Sequence, residues 1–245
     1  MKQFCLLFFL LMSPSAVADS FRIALPDEDY PPYHFVDTQH KGILNELLVL
    51  FSEASEVDIE YIFAPEKRSA KMLQQGYVDA RMESEVWLIG DESYYWSQEI
   101  AIVEDVLVVS HGTKLIDFKE LNSLKDGILL GRFGYVYPKY ELLVNSNVLH
   151  RENFYSDLDI LQSLYSDTPM SKRFTIMSRD VVNWYIKKHP HLSQLVISDF
   201  NVGKAPLQLQ FSYTPKGRKL VREFNLFLKE LKESKELASI ISRYQ

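Results

Sequence analysis

Between Phe21 and Met82 the chain switches repeatedly between two hydrophobic periods, and no other feature restricts its fold as much. Phe21-Arg22-Ile23-Ala24-Leu25 is a short strand. After Gly42, the apolar residues Ile43, Leu44, Leu47, Leu48 and Phe51 recur at helical spacing; Val57, Ile59, Tyr61 and Phe63 then alternate with Asp58 and Glu60 as a strand does. A second helix runs from about Lys67 to a Gly76 cap, and Tyr77 to Met82 reads as a third strand. Strand, helix, strand, helix, strand predicts a parallel sheet with right-handed crossovers and a ligand crevice beyond the carboxyl ends of its strands.

A second set follows the apolar stretch Val106-Leu107-Val108-Val109. Asp117 to Lys125 is helical in pattern, Ile128 to Leu130 is a short strand, and Gly131-Arg132-Phe133-Gly134 is a turn leading to a helix near Tyr137 to Val144. Leu158 to Tyr165 marks a helix, Phe174 to Met177 a strand, and Val181 to Tyr185 a further helix. Leu207, Leu209 and Phe211 alternate with Gln208, Gln210 and Ser212, and two amphipathic helices close the chain.

The start of the chain reads as a cleavable export signal. Lys2 is its basic start, Phe4 to Met12 its apolar run, and Ala16-Val17-Ala18 its small-residue cleavage site before Asp19. Nine apolar residues are too few for a membrane span, which needs about 20. The one cysteine, Cys5, falls inside the signal, so the mature chain is expected to be cysteine-free, soluble and periplasmic. A formal net charge of −6 argues against nucleic acid or an anionic membrane as partner.

Enzyme signatures are missing from the text of the sequence. None of the six histidines forms a His-x-x-x-His pair or follows a Gly-x-Ser-x-Gly elbow, and no Gly-rich phosphate loop is present. No metal or other cofactor is expected. His189-Pro190-His191 reads as a surface loop rather than a ligand pair.

Several short elements occur together in order: the opening strand with Asp27-x-x-Tyr30-Pro31-Pro32-Tyr33, Gly42 before the first helix, and Leu73-x-x-Gly76-x-x-Asp79-Ala80. Leu121-x-x-Leu124-Lys125-Asp126-Gly127, the Gly131/Gly134 turn and Ala238-x-Ile240-Ile241-x-x-Tyr244 continue the series. With them the chain resembles the periplasmic solute-binding proteins of family 3, the amino-acid-type components of ABC importers. The resemblance implies an α/β fold of the periplasmic binding protein type II, with two lobes joined by two crossover strands around a hinge cleft. By analogy, lobe 1 comprises residues 19–108 and 207–245, and lobe 2 comprises 109–206. It further implies a monomer that binds a small polar solute, performs no chemistry and meets an ABC permease. A sensory protein docking on a membrane receptor is the alternative, and a small-molecule dehydratase with Glu83 as acid or base a more distant one.

Departures from the family pattern bear on the ligand. Members that bind amino acids usually carry a Ser-rich segment ending in Thr-x-x-Arg, whose arginine forks onto the α-carboxylate. Here that stretch is Ala80-Arg81-Met82-Glu83-Ser84-Glu85-Val86-Trp87, with no arginine following until Arg132. Tyr30 and Tyr33 are expected as stacking walls on the rim of lobe 1, with Glu83 and Ser84 at a strand's carboxyl end and Trp87 beside them. Arg68, at a helix start, is a candidate anion holder. From lobe 2 the candidates are Arg132 with Tyr135, and Ser178 with Arg179. Arginines facing the cleft would select a carboxylate or phosphate, whereas the glutamates would select an amine; the sequence leaves both open.

Overall fold

A computed structural model describes residues 20–37, 42–88, 90, 93–118, 124–168 and 171–244. The expected export signal at 1–18 lies outside them, as do residues 119–123 of the helix expected from Asp117 to Lys125. Within the first lobe, β1 (Phe21–Leu25), α1 (Ile43–Ser55), β2 (Ile59–Phe63), α2 (Glu66–Gln74) and β3 (Ala80–Glu83) follow one another as the hydrophobic periods predict. β1 runs parallel to both β2 and β3.

The turn after β1 is fastened to the start of α1. Ile43 N–H donates to the Pro32 carbonyl at 3.0 Å and Leu44 N–H to the Tyr33 carbonyl at 2.8 Å, so backbone acceptors cap a helix that has no side-chain cap. A Cβ on Gly42 would lie 2.6 Å from the Tyr33 oxygen, so only glycine permits this approach. The aromatic turn is thereby held at the carboxyl end of β1, over the crevice.

β4 (Tyr95–Trp96) and β5 (Ala101–Val109) lead to a second parallel set. It contains β6 (Gly127–Arg132), α3 (Pro138–Asn145), β7 (Leu149–Phe154), α4 (Asp157–Tyr165), β8 (Arg173–Ser178) and α5 (Arg179–Lys188). β6 pairs in parallel with β7 and β8. β9 (Val196–Phe211) then returns to the first lobe, where α6 (Pro215–Glu233) packs against it and α7 (Glu236–Ser242) packs against α6 and α1. The strand order is β2-β1-β3-β9-β5-β8-β6-β7, with β4 also on β9.

β5 and β9 are the two crossover strands. β9 pairs with β5 from Val196 to Leu207 and with β3 from Gln208 to Phe211, so it belongs to both lobes. The β5–β9 ladder slips register on either side of Val106, a bulge at the junction of the lobes.

The structure corrects several expectations and adds strands that the sequence analysis did not name. The strand expected from Leu207 to Phe211 starts eleven residues earlier, at Val196; the added part, with Gly203 and Pro206, pairs on one side only, which a proline tolerates. β5 likewise begins at Ala101, before the apolar run. β7 was not expected, because it is a polar edge strand, Leu-His-Arg-Glu-Asn-Phe. Gly131 and Arg132 belong to β6 rather than to the turn, which is made at Gly134 with φ 90°. Within the described part of the segment expected to be helical from Asp117 no α-helix is found: a 3-10 turn, Leu115–Phe118, opens it and Leu124 is again in 3-10 conformation.

Candidate ligand-binding cleft

The carboxyl ends of β3, β6 and β8 converge on a cavity of about 480 Å³, within the roughly 300–1,000 Å³ usual for small-molecule sites. The first lobe contributes Tyr30 from the turn after β1, Glu66 and Lys67 from the first turn of α2, Arg81 and Glu83 from β3, and Trp87. The second lobe contributes Arg132 from β6, Tyr135, Tyr137 and Tyr140 around the start of α3, Asp157 from α4 and Ser178 from β8. Asp105 and Gly203, paired across the crossover strands, close the back.

Each buried guanidinium in the cavity already has carboxylate partners. Arg81, 3% exposed, contacts Glu66 through one terminal nitrogen and Glu83 through the other, while its Nε donates to Gln210 Oε1 at 2.6 Å. Glu83 Oε1 also accepts the Ser84 N–H at 2.8 Å. Burial, aided by the charge of Glu66, pushes the Glu83 carboxyl up against the opposing pull of Arg81. Arg132 pairs with Glu28 at 2.8 Å and Asp157 at 3.4 Å, and its guanidinium lies 5.3 Å from the Tyr135 ring centre. At 3.4 Å the Asp157 contact is an ion pair without a hydrogen bond, and the buried Asp157 Oδ2 has no hydrogen-bond partner. Burial pushes the Asp157 carboxyl up to about 6 although Arg132 pulls it down.

Asp105 differs from the other acids. Among the described residues its carboxylate makes neither a hydrogen bond nor an ion pair, and burial alone pushes it up to about 6. A Cβ on Gly203 would sit 3.3 Å from Asp105 Oδ2, so the glycine leaves the carboxylate its room.

Of the residues singled out in the sequence, the structure brings together Tyr30, Glu83, Trp87, Arg132, Tyr135 and Ser178. It sets four others outside the cavity lining. Tyr33 lies behind Tyr30, ring centres 5.2 Å apart, and donates to Asp180 Oδ2 at 2.8 Å. Arg68 is on the exposed face of α2, because the cavity side of that helix is Glu66, Lys67 and Ala70. Ser84 is fully buried just past β3. Arg179 faces β9, donating to the Ser198 carbonyl at 3.1 Å and Asn201 Oδ1 at 3.2 Å.

Sequence reasoning missed Glu66, Arg81, Asp105, Tyr137, Tyr140 and Asp157. A signal existed for Arg81: it stands two residues before Glu83 in an otherwise apolar strand, and residues so spaced share a face. Asp105 was marked only by being an acid beside the run Val106–Val109. Asp157 follows the N-cap Ser156, a position where an acid is ordinary.

A profile of the bacterial extracellular solute-binding proteins, family 3, matches residues 23–245. No curated protein sequence matches the chain. Among solved structures, the chain is similar to an arginine-bound amino acid ABC transporter substrate-binding protein of Streptococcus pneumoniae (TM-score 0.70, 16% identity, 92% of this chain and 94% of that one). It is similar to a histidine kinase sensor domain that itself resembles periplasmic binding proteins (TM-score 0.73, 18% identity, 92% and 97%). A third is an ancestral amino acid-binding protein described as a precursor of cyclohexadienyl dehydratase (TM-score 0.69, 17% identity, 92% and 94%). Carrier, sensor and forerunner of an enzyme share this fold, so the function has to be argued from the cleft.

Proposed function

The chain belongs to family 3 of the bacterial extracellular solute-binding proteins, and on that premise we propose that it captures a small polar solute in the periplasm and presents it to an ABC-type permease. The observation that carries this reading is the cavity itself, walled by both lobes and closed at the back by the two crossover strands. A solute held there touches both lobes at once, so it favours the state in which they are together, and that state offers a partner a composite surface.

The reading is one of binding without chemistry. Glu83, the candidate acid or base, has one oxygen on the Arg81 guanidinium and the other on the Ser84 N–H. A general acid or base needs an oxygen within reach of the reacting proton.

The test is to incubate the purified protein with a bacterial metabolite extract, re-isolate it, and identify by mass spectrometry what denaturation releases. One small solute, recovered unchanged after prolonged incubation, is the expected result, and adding it back should raise the melting temperature by about 5–10 °C at 100 times its Kd. Release of nothing would contradict the reading, and a solute returned with altered mass would move it to the catalytic alternative.

A further inference from the structure

Taking solute capture in the cleft as given, the geometry points to a small organic cation that carries no carboxylate, its ammonium seated between Asp105 and Ser178 at the hinge. The two residues face each other across the β5–β8 ladder, and directly paired residues present their side chains on one face about 5 Å apart. Both line the cavity. Asp105 has no cationic or donor partner among the described residues, and Ser178, a residue 3% exposed, has the Tyr33 hydroxyl near its Oγ but no hydrogen-bond partner. With Ser178 Oγ, Asp157 Oδ2 is a second fully buried oxygen of the cavity without a hydrogen bond, and the half-buried Asp105 carboxylate stands beside them. The two carboxylates accept only and the Ser178 hydroxyl can accept as well as donate, so the unmet capacity is mainly for acceptance, and an ammonium supplies donors only.

The charge arrangement agrees. Arg81 holds Glu66 and Glu83, and Arg132 holds Glu28 and Asp157, which leaves Asp105 as a fifth carboxylate facing two guanidinium groups. Lys67, Lys139 and Lys204 stand at the exposed rim, where water screens them, and Lys204 is paired with Glu104. A carboxylate on the ligand would have to displace one of the protein's own from a guanidinium and leave it buried and unpaired. An ammonium displaces nothing. The walls suit the same cation, since Tyr30, Trp87, Tyr135 and Tyr140 line the cavity and aromatic faces attract cations.

The test is a binding series by calorimetry and thermal shift at about 1 mM, well above the micromolar Kd expected of a specific site. It compares methylammonium, tetramethylammonium, putrescine and agmatine with arginine and 4-aminobutyrate, which add a carboxylate, and with glutarate, which has no amine. At least one of the first four should bind, and D105N should weaken it by about 10- to 100-fold, the cost of losing a charged hydrogen bond. Ser178→Ala should cost only a few-fold. As a second variant, G203A keeps Asp105 but crowds its carboxylate, and should also weaken the cation. Binding of glutarate or the amino acids without the simple amines would overturn the ligand class and leave solute capture standing. A bound amine indifferent to both D105N and G203A would overturn the seat. No binding by any member of the series would overturn the cation inference, while a solute captured from extract would still uphold the broader reading.

Discussion

Asp105 shows what a hinge carboxylate costs the protein. An unfolded aspartate ionises near 3.9, and burial raises Asp105 to about 6 in the folded chain. The folded state therefore holds the proton more tightly than the unfolded one. Below pH 4 both states are protonated and the residue is neutral to stability; between about 4 and 6 stability falls as the pH rises; above 6 the whole penalty remains, at most about 3 kcal/mol and about 2 for a half-buried group that water still screens. Asp157, also pushed up to about 6, and the raised Glu83 act in the same direction. D105N should thus match the parent at pH 4 and exceed its melting temperature by about 4–8 °C at pH 7. A difference that does not change with pH would show that the carboxylate is not buried as charge. Very little of this residue was legible in the sequence. Aromatic residues beside Pro-Pro and an arginine between glycines stand out from their neighbours, so Tyr30 and Arg132 were found; an aspartate beside a valine run gains its meaning only from Gly203 and Ser178, brought next to it by strands distant in the chain.

Helix α6 carries the clearest local logic among the elements. Thr214 caps it by accepting the Gly217 N–H at 3.0 Å, and its apolar stripe buries Leu220, Val221, Phe224, Phe227, Leu228 and Leu231, with Phe224 edge-on to Phe51 of α1. The preceding loop folds back so closely that a Cβ on Gly217 would lie 2.1 Å from the Ser212 carbonyl oxygen. Thr214→Ala should cost about 1 kcal/mol, or roughly 2–4 °C, the usual value of a cap. Gly217→Ala must also move backbone, and should lower the melting temperature at least twice as far; equal effects would mean that the loop yields freely. Elements of this kind were legible, because an amphipathic helix writes its buried face into its own spacing. The crossover strands were only half legible. β9 runs from a one-sided ladder with β5, where Asp199, Asn201, Gly203 and Pro206 are tolerated, into a stretch that pairs with β3 and, at Gln210 and Phe211, with β4 on its other side, where Leu207, Leu209 and Phe211 are fully buried. Only the second stretch alternates as a strand does.

At the scale of the whole molecule, the lobes also meet outside the cavity. Tyr33 of the first lobe donates to Asp180 of the second at 2.8 Å, Phe35 lies 5.0 Å from Trp184 by ring centres, and Lys67 stands 5.3 Å from the centre of the Phe133 ring. None of Tyr33, Phe35, Asp180 and Trp184 lines the cavity, so this cluster can bias closure without touching a solute. Its contacts exist only while the lobes are together, and their free energy adds to whatever a ligand contributes to the closed state. Tyr33→Phe removes the hydrogen bond to a charged acceptor and keeps the ring against Tyr30. For a partly exposed pair of this kind the loss is about 1 kcal/mol, enough to lower the closed-to-open ratio about 5-fold. Because apparent affinity scales with the competent fraction, every ligand of the cleft should weaken by up to that same factor whatever its charge, as the open form comes to dominate. D105N, by contrast, should discriminate between ligands. Small-angle scattering of Tyr33→Phe and Asp180→Asn without solute should give a larger radius of gyration than the parent, and the double variant should be no more open than either single one, since both remove the same bond. Unchanged scattering with unchanged affinity would mean that the contact follows closure and does not help to set it.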